Sequence, residues 1–368
     1  MFKKFIRGLG RRMATFGCEI DDPKKVVDFR WTDPQNGTEA VNFLAKRIQF
    51  SAEKTKAVQI VLIGEDIMFG LRVEQLIKGS FIILKFKTVV DFIQNSKEEQ
   101  KDYIVGITSL IANEIHFIAQ ELIEHEITNS IPFEYVVIPK QENQIIDRMW
   151  EESRDFISPI HMQTKAWENI FQQSCEVFDP KTGIRDYMDL VQGLNHIKAR
   201  NLSGDIAEFG SFRGQSGYLT AKYLKEIKSI KKLFMFDMFE SFPVETIGVD
   251  QFWSETHEVD FADIKRKFKD LPNVELVKGD FTKTFDGSNC KELALAFVDC
   301  DSYRGTKYLI ETIFDHFLVA GGIMVFEDYG HASLLGNRIA VHQAFDKKEN
   351  AFCFFSHFSG SYFVCKIK

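Results

Sequence analysis

The stretch from Leu293 to Tyr329 constrains the fold most, because its two apolar runs each end in carboxylates. Leu293-Ala294-Leu295-Ala296-Phe297-Val298 stops at Asp299-Cys300-Asp301. A helical pattern from Thr306 to Leu318 follows, with apolar residues at Leu309, Ile310, Ile313, Phe314 and Phe317. Ala320-Gly321-Gly322 is expected to stop that helix, and Ile323 to Phe326 reads as a second buried strand ending in Glu327-Asp328-Tyr329. Strand, helix, strand of this length is one right-handed crossover between parallel strands. Strands buried on both faces read as continuous apolar runs, as these do. If the two are neighbours, about 5 Å apart, Asp299, Asp301, Glu327 and Asp328 gather at the carboxyl edge of the sheet, where open α/β sheets bind ligands. Crowded carboxylates repel one another unless a cation or a shared proton relieves them. A hard divalent ion with oxygen ligands is the simplest relief, and magnesium fits best. A single acid at a strand end is ordinarily solvated or caps a helix; two clusters one crossover apart ask for more.

The rest of the composition narrows the class. A chain of 368 residues makes two domains the natural expectation. A formal charge of −7 argues against a general nucleic-acid binder. Cys18, Cys175, Cys290, Cys300, Cys353 and Cys365 form no CxxC pair and no zinc spacing, and read as reduced thiols of a cytoplasmic protein. No apolar run reaches transmembrane length. Residues 1–16 alternate Lys3, Lys4, Arg7, Arg11 and Arg12 with Phe2, Phe5, Ile6, Leu9, Met13 and Phe16 at helical spacing. They suit an arm packed on its own domain or on a twin subunit, with peripheral membrane contact as the sharper alternative. A homo-oligomer is expected.

In chain order, residues 1–50 read as an N-terminal arm and a helix, with Asp33-Pro34-Gln35-Asn36-Gly37 as a turn before a helix over Glu39–Phe50. Residues 51–140 read as a small Rossmann-like α/β domain. Its strands are Val58–Ile63, Phe81–Leu84, Tyr103–Val105 and Phe133–Ile138, alternating with helices, which indicates a parallel sheet. The turn Gly64-Glu65-Asp66-Ile67-Met68-Phe69-Gly70 lacks the second glycine of a dinucleotide site and puts two acids where phosphate would sit. A structural or partner-binding role without nicotinamide cofactor is the expectation. Residues 141–200 read as a helical junction or lid, and 201–368 as the main domain.

That main domain opens on Gly204-Asp205-Ile206-Ala207-Glu208-Phe209-Gly210-Ser211-Phe212-Arg213-Gly214-Gln215-Ser216. A strand ends near Glu208, Gly210 and Gly214 permit a tight turn, and a helix starting near Ser216 aims free N–H groups at a carboxylate. Leu233 to Phe236 then runs into Asp237, an acid placed as a ribose diol requires. A third strand ends in Gly279-Asp280-Phe281, placed to border an adenine ring. Ala351–Phe358 and Tyr362–Ile367 read as a closing hairpin. A largely parallel sheet ending in an antiparallel hairpin is the arrangement of class I S-adenosylmethionine-dependent methyltransferases. Residues 244–263, with Trp253 and His257, are a candidate lid.

On these motifs, residues 185–345 resemble the macrocin O-methyltransferase family, whose members methylate sugar hydroxyls. The matching pieces are Gly204–Ser216, Phe236-Asp237-Met238-Phe239-Glu240-Ser241-Phe242-Pro243, Lys278–Phe281, Phe297–Tyr303, Glu327-Asp328-Tyr329-Gly330 and Gly336-Asn337-Arg338-Ile339-Ala340-Val341. The resemblance implies a magnesium ion on Asp299, Glu327 and Asp328, with Asp301 as general base. It implies S-adenosylmethionine contacts by Glu208, Gly210, Ser216, Asp237 and Asp280. The chain departs from the family at Glu327, where Asp is usual. The expected acceptor is a sugar-containing small molecule or a glycan. A catechol-type methyltransferase and a non-catalytic scaffold are the alternatives.

Overall fold

The computed structural model describes residues 34–95, 103–109, 112–127, 133–135, 162–178, 184–243, 249–250, 257–287, 290–331, 334–357 and 359–368. The basic-apolar stretch 1–16, the junction 139–159 and Trp253 lie outside these residues. The chain divides into two compact units: Met1–Asn143 with Glu245–Phe252, and Gln144–Val244 with Trp253–Lys368.

In the first unit, strands β1 (Gln59–Ile63), β2 (Ile82–Phe86), β3 (Tyr103–Ile107) and β4 (Phe133–Tyr135) form a parallel sheet in the order β2-β1-β3-β4. The Pro34–Gly37 turn signal is overridden. Those residues open a 22-residue helix, Pro34–Thr55, with proline in the first turn, where it has no amide to lose. That helix is not set apart from the sheet. Ala40, Val41, Leu44, Ile48 and Ala52 share one buried cluster with Ile60, Leu62, Phe69, Val73 and Ile104. This apolar stripe recurs at three- and four-residue spacing, which outweighs the local turn preference.

In the second unit, β5 (Asp205–Phe209), β6 (Leu233–Asp237), β7 (Val274–Lys278), β8 (Leu293–Val298), β9 (Leu318–Phe326), β10 (Ala351–Phe355) and β11 (Tyr362–Lys366) form one sheet. Its order is β10-β11-β9-β8-β5-β6-β7. Strands β5 to β9 pair in parallel, and β11 runs antiparallel to both β9 and β10. This is the class I methyltransferase order, and the switch point falls between β5 and β8. The helices Met162–Val177 and Ile184–Ala199 belong to this unit's core: Trp167, Leu190, Val191 and Leu194 are buried in the same cluster as Ile206, Leu295 and Val325. The crossover helix Tyr303–His316 buries Leu309, Ile310, Ile313 and Phe314, each such side chain stabilising the fold by about 1.5–3 kcal/mol.

Ala320-Gly321-Gly322 does not stop that helix. The helix ends at His316 and β9 begins at Leu318, so the three residues lie inside the strand. The pairing of β9 with β8 jumps from Leu293↔Leu318 to Leu295↔Ile323, and Gly321 takes φ +81°. The glycines thus absorb an irregularity in the sheet, as glycine in a strand commonly does. Among the described residues no helix is long and apolar enough to cross a membrane.

Candidate active site

Two parallel strands place the centre of the site. The tips of β5 and β8 close on each other through Asp299 N–H donating to Phe209 O at 2.9 Å, while Gly210 N–H donates to Phe236 O at 2.9 Å. Gly210 has φ +92°, and a Cβ there would lie 1.7 Å from Asp299 O. Only glycine lets the turn after β5 lie this close to the acidic end of β8. Beneath the tips, Phe209 stacks on Phe236 at 4.9 Å, and Phe285 meets both rings edge-on at 5.5 and 5.4 Å.

The ends of β8 and β9 bring Asp299, Glu327 and Asp328 together, each offering one carboxylate oxygen within 4.8 Å of the others. Asp328 is 2% exposed. Its Oδ2 accepts from Asp301 N–H at 2.9 Å and from Asn337 Nδ2 at 2.7 Å. The backbone at Asp301 is held at φ +54°, a region that costs a non-glycine residue about 1–3 kcal/mol. The Asp299 carboxyl is raised well above the usual carboxylate range, first by burial and then by the charges of Glu327, Asp328, Asp301 and Glu208. Three hard oxygen donors crowded in this way suit a divalent cation of the magnesium type. Asn337 Oδ1 is buried without a hydrogen-bond partner, as expected beside a centre that takes up a further polar group.

The glycine turn provides the second half. Gly214 caps the helix Gln215–Glu226 at φ +88° with no side-chain hydrogen bond, so the helix end is left for another acceptor. Glu208 is buried and its Oε1 accepts from Ser216 Oγ at 2.7 Å. Burial pushes Glu208 up to about 7, against the Ser216 hydrogen bond and with help from the Asp237 charge. Asp237 Oδ2 accepts from Phe212 N–H at 2.9 Å and Oδ1 from Phe239 N–H at 2.5 Å. The acid at the tip of β6 therefore shapes the turn after β5. Asp280 caps the short helix Phe281–Thr284, accepting from Thr282 N–H at 3.0 Å and Thr282 Oγ1 at 2.7 Å, and pairs with Lys283 at 3.0 Å. Arg213 lies over the Phe212 ring at 5.1 Å. His257 packs edge-on against Phe212 at 4.7 Å, with its backbone at φ +60°.

Asn337 belongs to the Gly336–Val341 motif, and the sequence assigns it no role. It lies on the buried face of the helix Leu335–Phe345, and a buried amide there is the signal that could have marked it.

The first unit repeats the close approach without the open helix end. A Cβ on Gly64 would lie 2.2 Å from Thr108 O, so this glycine too serves strand packing. Here, however, Asp66 caps the helix Ile67–Leu76 by accepting from Phe69 N–H at 2.9 Å. Glu65 N–H donates to Glu114 Oε1 at 3.0 Å.

Residues 176–351 match the model of the macrocin-O-methyltransferase (TylF) family. No curated protein matches the chain. Among solved structures, the O-methyltransferase NovP is similar at 18% identity over 50% of this chain and 81% of that one, with a TM-score of 0.45. CalS11, a calicheamicin methyltransferase, is similar at 18% identity over 62% and 94%, with a TM-score of 0.46. An O-methyltransferase from Bacillus cereus in complex with SAH is similar at 15% identity over 60% and 99%, with a TM-score of 0.39. The segment that builds both the glycine turn and the acidic centre thus matches a methyltransferase family, the macrocin O-methyltransferases.

Proposed function

We propose that the chain is an S-adenosylmethionine-dependent, magnesium-dependent O-methyltransferase acting on a sugar hydroxyl of a glycan or glycosylated metabolite. The observation that carries this reading is the juxtaposition of Asp299, Glu327 and Asp328 within 4.8 Å, at strand tips that touch the Gly210 turn. In this reading the turn Gly210–Ser216 takes the methyl donor, with its carboxylate at the uncapped helix end and its ribose near Asp237. A bound magnesium ion would lower the pKa of an acceptor hydroxyl and orient it.

The protein's own part is positional. Asp299, Glu327 and Asp328 would hold the cation, and Asn337 with the Asp301 amide fixes Asp328. Asp301 then accepts the hydroxyl proton as general base. The donor already carries its leaving group, so alignment of oxygen, methyl carbon and sulfur is the main remaining requirement. The match of residues 176–351 to the macrocin-O-methyltransferase family model supports a sugar acceptor over a catechol.

The test is transfer of a labelled methyl group from S-adenosylmethionine to a panel of nucleotide-activated sugars, glycans and catechols, with and without chelator. Sugar products that disappear on chelation support the reading. Catechol products alone, or full activity after exhaustive chelation, would overturn it.

A further inference from the structure

Arg338 stands one residue past Asn337, whose amide holds Asp328, yet among the described residues no acid pairs with it. Its Nε–H donates to Tyr329 O at 3.1 Å, and its guanidinium carbon lies 5.3 Å from the centroid of the Tyr329 ring. That ring is itself fixed, stacked on Tyr362 at 4.4 Å and bordered by Phe355 at 5.4 Å. One edge and one face of the guanidinium are therefore committed, and among the described residues its two Nη groups have no hydrogen bond or ion pair. Burial pushes its pKa down. The side chain is nonetheless partly open to solvent. An arginine crowded by protein but unpaired is costly unless a counter-charge arrives. Its free fork has the planar, two-pronged geometry that matches phosphate or carboxylate oxygens.

We propose that Arg338 is an anion subsite of the acceptor pocket, holding a phosphate or carboxylate group borne by the sugar that is methylated. The inference rests on the sugar O-methyltransferase reading and names its substrate class. An anionic acceptor must approach Asp299, Asp301, Glu327 and Asp328, whose charges repel it. A guanidinium adjacent to Tyr329 offsets that repulsion and anchors the acceptor away from its reacting hydroxyl. Arginine is suited to this because its planar fork fixes orientation as well as charge.

The experiment is calorimetry on the full chain loaded with magnesium and S-adenosylhomocysteine. The probes are uridine-diphosphate glucose, methyl glucuronide and neutral methyl glucoside. At least one anionic probe should bind more tightly than methyl glucoside, and which one does tells phosphate from carboxylate. Arg338→Gln should weaken that probe by about ten- to a hundredfold, the loss of one charge-assisted hydrogen-bonded contact, while sparing methyl glucoside and S-adenosylhomocysteine. If Arg338→Gln does not fold, Arg338→Lys replaces it; loss of the fork should still weaken the anionic probe selectively. Preference for neither anion in the wild type, or equal weakening of all three probes, would overturn the subsite and leave Arg338 as a brace for Tyr329. Failure of the wild type to bind S-adenosylhomocysteine would strike the methyltransferase reading itself.

Discussion

Asn337 and Asp328 meet across two elements, the amide of one donating to Oδ2 of the other at 2.7 Å. Asp301 N–H donates to the same oxygen at 2.9 Å, so two donors from different elements hold this carboxylate. Removing the amide takes one donor from a buried carboxylate, at a cost of about 1–3 kcal/mol. Asn337→Ala is expected to lower magnesium affinity, read by calorimetry, and to lower the unfolding midpoint. Unchanged affinity for magnesium would remove Asn337 from the support of the site.

Asp328→Ala and Asp301→Asn should separate metal binding from proton transfer. Asp328→Ala loses a ligand oxygen, and extra magnesium should partly restore its rate. Asp301→Asn keeps the shape but accepts no proton, so turnover should fall by about 10²–10⁴ and resist added metal. Near-normal turnover in Asp301→Asn would dismiss the base assignment alone.

Gly210→Ala tests the contact between the two half-sites. A methyl group there would meet Asp299 O at 1.7 Å, with φ at +92°. The strained backbone alone costs about 1–3 kcal/mol, and the collision with a fixed carbonyl adds to it. Both methyl-donor affinity and denaturant stability should fall; wild-type values for both would show that the tips do not approach as described.

Glu208 predicts a pH dependence of stability in the cation-free, donor-free protein. Its pKa is raised from 4.5 to about 7, so between these values the folded chain holds a proton that the unfolded chain has released. Stability contributed by this group is present below about pH 4.5 and is lost as pH rises towards 7. The span corresponds to about 3 kcal/mol at most. Glu208→Gln should flatten this part of the profile, measured as the difference in urea midpoints from pH 5 to 8. Parallel profiles would place the titration elsewhere.

Asp237→Ala should weaken S-adenosylmethionine binding by about 1.5–3 kcal/mol if a ribose hydrogen bond is lost. Because Asp237 also holds the amides of Phe212 and Phe239, Asp237→Asn is the closer control, keeping an acceptor without the charge. Wild-type affinity in both proteins would take Asp237 out of the site.

The strands and the positions of their acids follow from local sequence alone. The runs Leu293–Val298 and Ile323–Phe326 are apolar on both faces, so burial follows from composition, and each is followed directly by acids. Gly210 and Gly214 were legible because few residues tolerate a left-handed turn. Features that depend on distant partners arise only when the chain packs. Pro34–Gly37 became helix because the apolar face behind it found the β1–β3 sheet. Ala320-Gly321-Gly322 became the irregular part of β9, between the pairs Leu293↔Leu318 and Leu295↔Ile323. Asn337 meets Asp328, and Arg338 meets Tyr329, only because their helix packs against the turn after β9. A local pattern records what a residue prefers, whereas a buried polar contact depends on which other residue the fold delivers to it.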